Sequence, residues 1–166
     1  GAFGGLGLRV VEWLVEQGAG CVLALGRSEA SLETAARLAD LRARGAAVLA
    51  VRCDVSEEAS LAEALRAIPE EFALRGVFHC AGVWTNGALP NQTPELYHEA
   101  LKPKVAGGWN LHLLTRTVEL DCFVLFGSVA GVLGSRGQSN YAAANAYLDG
   151  LARWRRERLG LPALSV

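Results

Sequence analysis

Residues 126–148 read FGSVAGVLGSRGQSNYAAANAYL, and this stretch passes from a predicted strand into a predicted helix. An apolar run from Cys122 to Phe126 stops at Gly127, as expected for a strand buried on both faces of a parallel sheet. The three glycines after Ser128 predict irregular structure, and the Ala-, Leu- and Arg-rich segment 141–159 predicts a helix. The stretch therefore predicts one strand–loop–helix unit of an α/β fold.

Three polar side chains of this unit could serve one reaction. Ser128 follows the strand, so it lies at the strand's carboxyl end. Tyr141 and Asn145 are four residues apart, which puts them on one face of the helix. These three residues are candidate catalytic groups.

Similar strand and helix patterns alternate along the rest of the chain. Strands are predicted at Cys21–Leu25, Ala47–Val51 and Leu74–Phe78. Helices are predicted from Leu6 to Gly18, from Ser31 to Arg44, around Leu61 and Leu65, and from Thr93 to Leu114. The last of these helices should bend near Lys102 to Lys104, because it contains Pro103. This alternation predicts an α/β fold of the Rossmann-like type, a doubly wound parallel sheet with helices on both faces.

The chain is expected to form one domain, residues 1–166, truncated at both ends. Its 51% hydrophobic content is sufficient for a substantial core. Gly1 lies inside a glycine motif that needs a preceding strand, and Ala163–Val166 resembles the start of a further strand. We therefore expect a fragment of a longer protein.

Composition argues against several classes of partner. The formal net charge of −1 gives no electrostatic reason to expect nucleic acid or an anionic membrane. The four cysteines lie in or beside predicted strands without metal-ligand spacing, which favours reduced, buried thiols over disulfides or a metal site. A cytoplasmic protein is the expectation that follows.

The glycine motif GAFGGLG, residues 1–7, precedes the first predicted helix. Such a turn lets the backbone approach a pyrophosphate, to which the helix N-terminus offers free N–H groups and a positive dipole end. A tight strand-to-helix turn that binds nothing is the alternative, but the alternating elements favour a dinucleotide site.

Arg27 follows the predicted strand Cys21–Leu25 together with Ser28, about 20 residues beyond the glycine motif. An acidic residue at this point would bind the ribose of NAD, whereas an arginine would meet the extra phosphate of NADP. The position favours NADP, with a solvated surface arginine as the alternative.

Because ligands collect at the carboxyl ends of parallel strands, the segments at Gly5, Arg27, Asp54, Ala81 and Ser128 are predicted to share one crevice.

The serine and tyrosine arrangement resembles the short-chain dehydrogenase/reductase family, in which both side chains flank a substrate carbonyl. Common members carry a lysine four residues after the tyrosine, but Asn145 occupies that position here, and Lys104 lies upstream in LKPKVAGGWNL. This exchange looks like the ketoreductase domains of modular polyketide synthases and animal-type fatty acid synthases. A surface lysine is the alternative interpretation of Lys104 alone.

The resemblance adds residues to the predicted cofactor site. The pair Asp54–Val55 would contact the adenine ring, although Asp54 and Ser56 could instead cap the next helix. The segment HCAG resembles the family's Asn–Ala–Gly segment along the cofactor, with His79 as a packing residue. The full predicted cofactor-binding set is Gly1, Gly4, Gly5, Leu6, Gly7, Arg27, Ser28, Asp54, Val55, Ala81, Gly82, Lys104 and Tyr141.

The resemblance also implies a reaction. NADPH would give a hydride to a β-ketoacyl thioester on the phosphopantetheine arm of an acyl carrier protein, within a multidomain polyketide or fatty acid synthase. Tyr141 would donate the proton, Lys104 would stabilise its phenolate, and Ser128 would hold the substrate oxygen. Asn145 would orient the lysine or a relaying water.

Two other functions compete with this prediction. An ordinary free-standing dehydrogenase of the same superfamily would act on a small ketone or alcohol, but the asparagine at position 145 argues against it. A non-catalytic NADP-binding or structural domain would usually lose the tyrosine or the serine, and this chain retains both.

Overall fold

The computed structural model describes all 166 residues, and helices and strands alternate along the chain. The helices are α1 Gly5–Glu16, α2 Leu32–Ala43, α3 Glu58–Arg66, α4 Pro94–Leu101, α5 Gly107–Thr115, α6 Ala130–Leu133 and α7 Ser139–Leu159. The strands are β1 Cys21–Gly26, β2 Ala47–Arg52, β3 Gly76–His79, β4 Cys122–Leu125 and β5 Leu164–Ser165. A short 3-10 turn covers Leu89–Asn91, and a π-helical segment, Lys102–Ala106, joins α4 to α5. None of these helices combines the length and the apolar character that a membrane-spanning segment requires.

All strand pairs are parallel, as predicted, but they form two sheets. One sheet pairs β1 with β2, and the other has the order β3–β4–β5. The segment Gly1–Ala2 lies between the two sheets: the backbone nitrogens of both residues donate to the carbonyl of Leu25 at 2.8 Å. On its other side Gly1 packs so closely against Cys80 and Ala81 that an added Cβ would lie 2.5 Å from their backbone. The α/β class with parallel strands is confirmed.

Each sheet has its own apolar core. The larger core joins β3 and β4 to α7, with Phe123, Leu125 and Leu148 almost completely buried. The smaller core packs α1 and α2 on β1 and β2 through residues such as Leu8 and Leu38. Burial of these side chains is the main favourable term for the fold.

One long cation is part of the larger core, which the sequence pattern did not predict. Arg155 belongs to the same arginine-rich end of α7 as Arg156 and Arg158, where cations at the surface offset the helix dipole. Instead only 1% of Arg155 is exposed. Its guanidinium lies 3.9 Å from the centroid of the Phe123 ring and contacts His112 Nδ1 at 2.7 Å.

A π-helical segment, Lys102–Ala106, lies where the sequence predicts a bend at Pro103. The ring of Pro103 removes one backbone donor, and the wider π turn accommodates that loss. As a result Lys104 points inward and only 5% of it is exposed, whereas Lys102 stays at the surface.

The stretch after β4 is more regular than the glycines predicted. Ala130–Leu133 forms one helical turn, α6, and α7 begins at Ser139 rather than at Tyr141. The Ser128 hydroxyl accepts a hydrogen bond from the Ala130 N–H at 3.2 Å, which favours the start of α6. The cysteines also differ in part from expectation, since all four are free but only Cys53 is fully buried.

Gly131 allows α6 to pack against α7. A Cβ at this position would lie 2.9 Å from the backbone nitrogen of Ala146 and 3.2 Å from the carbonyl carbon of Asn145. We expect Gly131→Ala to lower the free energy of unfolding by about 1–3 kcal/mol, because backbone atoms cannot move aside cheaply. Urea unfolding of the purified domain measures this change.

Gly150, on the partner helix α7, provides the matched control. An added Cβ there meets no atom within 4 Å. Gly150→Ala should therefore stabilise α7 by about 0.5–1 kcal/mol, the usual difference in helix propensity. Equal effects of the two substitutions would contradict the packing argument.

Candidate active site

A crevice of about 400 Å³ opens where the carboxyl ends of the strands of both sheets meet. Every residue of the predicted cofactor-binding set lines it: Gly1, Gly4, Gly5, Leu6, Gly7, Arg27, Ser28, Asp54, Val55, Ala81, Gly82, Lys104 and Tyr141. The predicted convergence is observed for the segments at Gly5, Arg27, Asp54 and Ala81, whereas Ser128 is not part of the crevice wall. The physical reason is that parallel strands end on one side of their sheet.

Two of the four predicted catalytic residues line this crevice, and two do not. Lys104 and Tyr141 are part of its wall. Ser128 is partly exposed. It directly follows Gly127, which lies just beyond β4 and lines the crevice. Asn145 is fully buried one helical turn beyond Tyr141.

The glycine turn has the geometry of an anion site. Helix α1 begins at Gly5, and no side chain caps it at Gly4, so its first N–H groups face the crevice unpaired by a cap. Gly7 is required for the close turn, because a Cβ there would lie 2.1 Å from the carbonyl oxygen of Gly1. These features fit a pyrophosphate group.

Arg27 and Ser28 are exposed at the end of β1, on the rim of the same crevice. The side chain of Arg52 donates to the carbonyl of Arg27 at 3.3 Å, which steadies the backbone there. The guanidinium of Arg27 has no carboxylate within ion-pair distance, so it is free to meet a phosphate.

Asp54 lines the crevice and does not cap helix α3. Its Oδ1 accepts hydrogen bonds from the Ser56 N–H at 3.0 Å and the Ser56 hydroxyl at 2.5 Å, while the N-cap of α3 is Glu57. Desolvation raises the pKa of Asp54, but these bonds and the cations Lys102 and Arg27 together bring it below its ordinary value. The carboxylate is therefore ionised at neutral pH.

Lys102 belongs to the crevice, which the sequence analysis missed. Its Nζ lies 2.8 Å from Glu57 Oε1 and 3.8 Å from Asp54 Oδ2, and the residue lines the crevice beside Pro103. The sequence offered one usable signal, because Lys102 is two residues from Lys104 in the segment expected to bend.

Lys104 is the most constrained charge of the site. Its Nζ donates to the carbonyl of Phe126 at 2.8 Å and lies 5.7 Å from the centroid of the Tyr141 ring. Burial lowers its pKa to about 8, although electrostatic coupling to Cys80 and Asp149 acts in the opposite direction. At neutral pH an ammonium group therefore remains beside the tyrosine.

Asn145 contacts the tyrosine backbone and makes no hydrogen bond to Lys104. Its Nδ2 donates to the carbonyl of Tyr141 at 2.7 Å, and its buried Oδ1 has no hydrogen-bond partner. Lys104 bonds the carbonyl of Phe126 instead. The predicted orienting role thus has no direct contact in this structure, and the free Oδ1 leaves the water-relay role as a prediction.

His79 packs as predicted. Only 3% of it is exposed, at the end of β3 against Gly107 and Gly108 of α5. Burial, helped by the positive charge of Lys104, lowers its pKa to about 3. The imidazole is therefore neutral at physiological pH and adds no charge to the crevice.

Trp84 is a second crevice residue outside the predicted set of site residues. Its ring centroid lies 6.1 Å from that of Tyr141, with 41° between the two planes. The indole is 71% exposed and forms part of the crevice wall. An exposed aromatic ring next to the candidate proton donor offers an apolar surface to a ligand.

The fold and the crevice together define an α/β domain of the class that binds a nicotinamide dinucleotide. A family model described as the KR domain matches residues 1–166, so the chain belongs to the KR domain family, the ketoreductase domains of polyketide synthases. Domains of this family are oxidoreductases that bind a nicotinamide cofactor.

Individual relatives agree with this assignment. The chain is 48% identical over 169 residues to the spectinabilin polyketide synthase system protein NorB of Streptomyces orinoci. It is 44% identical over 168 residues to the polyketide synthase GfsE of Streptomyces halstedii. Both alignments cover 100% of this chain, but they cover only 8% of the first relative and 4% of the second.

Solved structures show the same fold. An A-type ketoreductase from a modular polyketide synthase superposes with a TM-score of 0.94 at 40% identity, over 99% of this chain and 35% of that chain. The first ketoreductase of the tylosin polyketide synthase superposes with a TM-score of 0.88 at 38% identity, over 99% and 36% of the two chains. The chain thus spans about a third of these ketoreductase chains.

The lowered pKa of Lys104 predicts a specific pH dependence of stability. Between the folded value of about 8 and the ordinary value of 10.5, the unfolded chain holds a proton that the folded chain has released. Stability therefore rises with pH in this window. Relative to Lys104→Met, the parent should gain about 2 kcal/mol in unfolding free energy between pH 7 and pH 9.5.

Urea unfolding at the two pH values, with Lys102→Met as control, tests this prediction. The pKa of Lys102 is raised by its hydrogen bond with Glu57, so this lysine stays charged across the window. The difference between the parent and Lys102→Met should therefore not change with pH. A constant difference for Lys104→Met as well would show that Lys104 has an ordinary pKa.

Proposed function

We propose that this domain reduces a β-ketoacyl thioester, carried on an acyl carrier protein, to the β-hydroxyacyl thioester with NADPH as cofactor. The observation that carries the proposal is the position of Lys104. Its buried ammonium lies 5.7 Å from the Tyr141 ring centroid, in the same crevice as the glycine turn and Arg27.

The residues of the site have separate roles in this reaction. Bound NADPH would supply the hydride, which no side chain can provide. Tyr141 donates the proton that the developing alkoxide needs, and the Lys104 ammonium stabilises the resulting phenolate. Ser128 donates a hydrogen bond to the substrate oxygen, a contribution of about 3 kcal/mol for a typical oxyanion donor.

Different parts of the crevice would bind different groups of NADPH. The unpaired N–H groups at the start of α1 would hold the pyrophosphate, and the guanidinium of Arg27 would meet the additional phosphate of NADPH. Asp54, ionised and held by Ser56, would lie at the adenine end.

The carrier-bound substrate is supported by the relatives. NorB and GfsE are polyketide synthase proteins, and the chain corresponds to a small part of each. A reductase embedded in such an assembly receives its substrate on a tethered arm, from other domains of the same synthase. We propose the same setting, and a cytoplasmic location, for the protein that contains this chain.

The decisive experiment follows NADPH absorbance with a β-ketoacyl thioester, a simple cyclic ketone and, in parallel, NADH. The protein used contains the complete domain. Oxidation that depends on the thioester and prefers NADPH supports the proposal. Faster turnover of the cyclic ketone would indicate a free-standing type of reductase, and NADPH binding without oxidation of any of these substrates would indicate a non-catalytic domain.

Tyr141→Phe should lower turnover by at least about a hundredfold, the usual contribution of a general acid, and leave NADPH affinity within about threefold. Stopped-flow turnover and a fluorescence titration with NADPH measure the two quantities. Tyr147→Phe is the control, because Tyr147 lies on the same helix but packs on the larger core. Turnover of Tyr141→Phe within tenfold of the parent would exclude Tyr141 as the proton donor.

Arg27→Ala should reduce the preference for NADPH over NADH about tenfold or more, because a charge-assisted bond to phosphate contributes roughly 1.5–3 kcal/mol. The ratio of kcat/KM for the two cofactors measures this. Arg9→Ala is the control, since Arg9 is exposed on α1 and pairs with Glu12 at 3.2 Å. An unchanged ratio for Arg27→Ala would assign Arg27 to the solvated surface.

A further inference from the structure

Asn140 is a fully buried amide directly before Tyr141, and the proposed reaction does not use it. It is the second residue of α7. A buried carboxamide costs free energy unless its hydrogen-bonding capacity is satisfied. The partners of Asn140 therefore show what the residue does.

The carbonyl oxygen of this amide completes the start of α7. Gln138, the N-cap residue, makes no side-chain cap bond. The N–H of Tyr141 donates to Asn140 Oδ1 at 2.8 Å. The carbonyl of Gly137, four residues before Tyr141, instead accepts from the N–H of Gly87 at 2.9 Å. Asn140 lies inside the first turn, and its Oδ1 is the hydrogen-bond acceptor that an N-cap side chain normally provides.

The nitrogen of the same amide holds the segment that leads from β3 to α4. Asn140 Nδ2 lies 2.9 Å from the carbonyl of Thr85, 2.7 Å from Thr85 Oγ1 and 3.1 Å from the carbonyl of Leu96. The Thr85 hydroxyl also donates to the carbonyl of Leu96 at 3.0 Å. One buried side chain therefore joins this loop, helix α4 and helix α7.

Asn140 hydrogen-bonds the backbone at or next to both aromatic residues of the crevice, Trp84 and Tyr141. Trp84 directly precedes Thr85, and its ring lies 6.1 Å from that of Tyr141. The oxygen of Asn140 fixes the backbone of Tyr141, and its nitrogen fixes the backbone next to Trp84. No other side chain hydrogen-bonds both the backbone of Tyr141 and the backbone of Thr85, the residue after Trp84.

We propose that Asn140 is a positioning residue that sets the distance between Trp84 and Tyr141, and with it the orientation of the acyl thioester at the proton donor. This inference rests on the proposed function. Trp84 would supply an apolar wall for the acyl chain, and Asn140 would hold that wall at the correct side of the phenol. Misplacement of a reacting group by about 1 Å can cost on the order of a hundredfold in rate.

The test compares Asn140→Ala and Asn140→Asp with the control Asn91→Ala in the full-length protein. The aspartate keeps an oxygen for the Tyr141 N–H but cannot donate to Thr85 or Leu96, whereas alanine loses both functions. Asn91 is exposed in the same connection and makes no side-chain hydrogen bond. Asn140→Asp also serves if Asn140→Ala does not fold.

Hydrogen–deuterium exchange is the readout that does not depend on activity. We expect peptides covering 83–92 to exchange at least tenfold faster in both Asn140 variants, with β4 peptides unchanged. The first turn of α7 should exchange faster only in Asn140→Ala. Unchanged exchange over 83–92, or equal acceleration throughout the domain, would overturn the proposal and make Asn140 a general packing residue.

Kinetics separate this inference from the proposed function. With a β-ketoacyl thioester, kcat of Asn140→Asp should fall tenfold or more, while the NADPH dissociation constant stays within threefold. A fall in NADPH affinity equal to the fall in kcat would overturn the positioning role. If the parent reduces no thioester at all, the proposed function fails, and the exchange pattern still decides whether Asn140 holds the Trp84 segment.

Discussion

The buried ammonium of Lys104 is the interaction on which the site depends. A lysine that is 5% exposed loses most of its hydration, and the carbonyl of Phe126 at the end of β4 replaces only part of it. The domain accepts this cost because the π-helical segment around Pro103 directs the side chain into the crevice. A pKa of about 8 leaves the group charged at neutral pH and easily influenced by its neighbours. Those neighbours include the ring of Tyr141.

The rest of the crevice is arranged around this charge by backbone contacts. Gly1–Ala2 binds the end of β1 and packs on the segment after β3, so it joins the two sheets where the crevice opens. Gly131 lets α6 approach α7, which keeps the Ser128 segment beside the helix of Tyr141. Close backbone approach at small residues therefore positions both halves of the site. This explains why glycines are frequent in the segments that line it or support it.

Much of the fold and the cofactor crevice could be predicted from sequence. Continuous apolar runs predicted the strands, helical spacing predicted the helices, and the carboxyl-end rule brought Gly5, Arg27, Asp54 and Ala81 together. Local sequence patterns did not predict the conformation of one turn or the burial of one side chain, because packing decided both. The helical turn of α6 forms in spite of its glycines because it covers α7, and Arg155 enters the core because Phe123 and His112 offer it partners.

The sequence by itself determined the class of the domain, many of the residues that line its crevice and the exchange between Lys104 and Asn145 that distinguishes the family. These features follow from residue type and spacing, which act along the chain. Only the tertiary structure decided that Asn145 contacts the tyrosine backbone rather than the lysine, that Trp84 lies beside Tyr141, and that Asn140 joins the two. Such contacts connect residues more than forty positions apart or depend on how one buried amide is satisfied. They arise from packing and hydrogen-bond completion in the interior, for which spacing along the chain carries no signal.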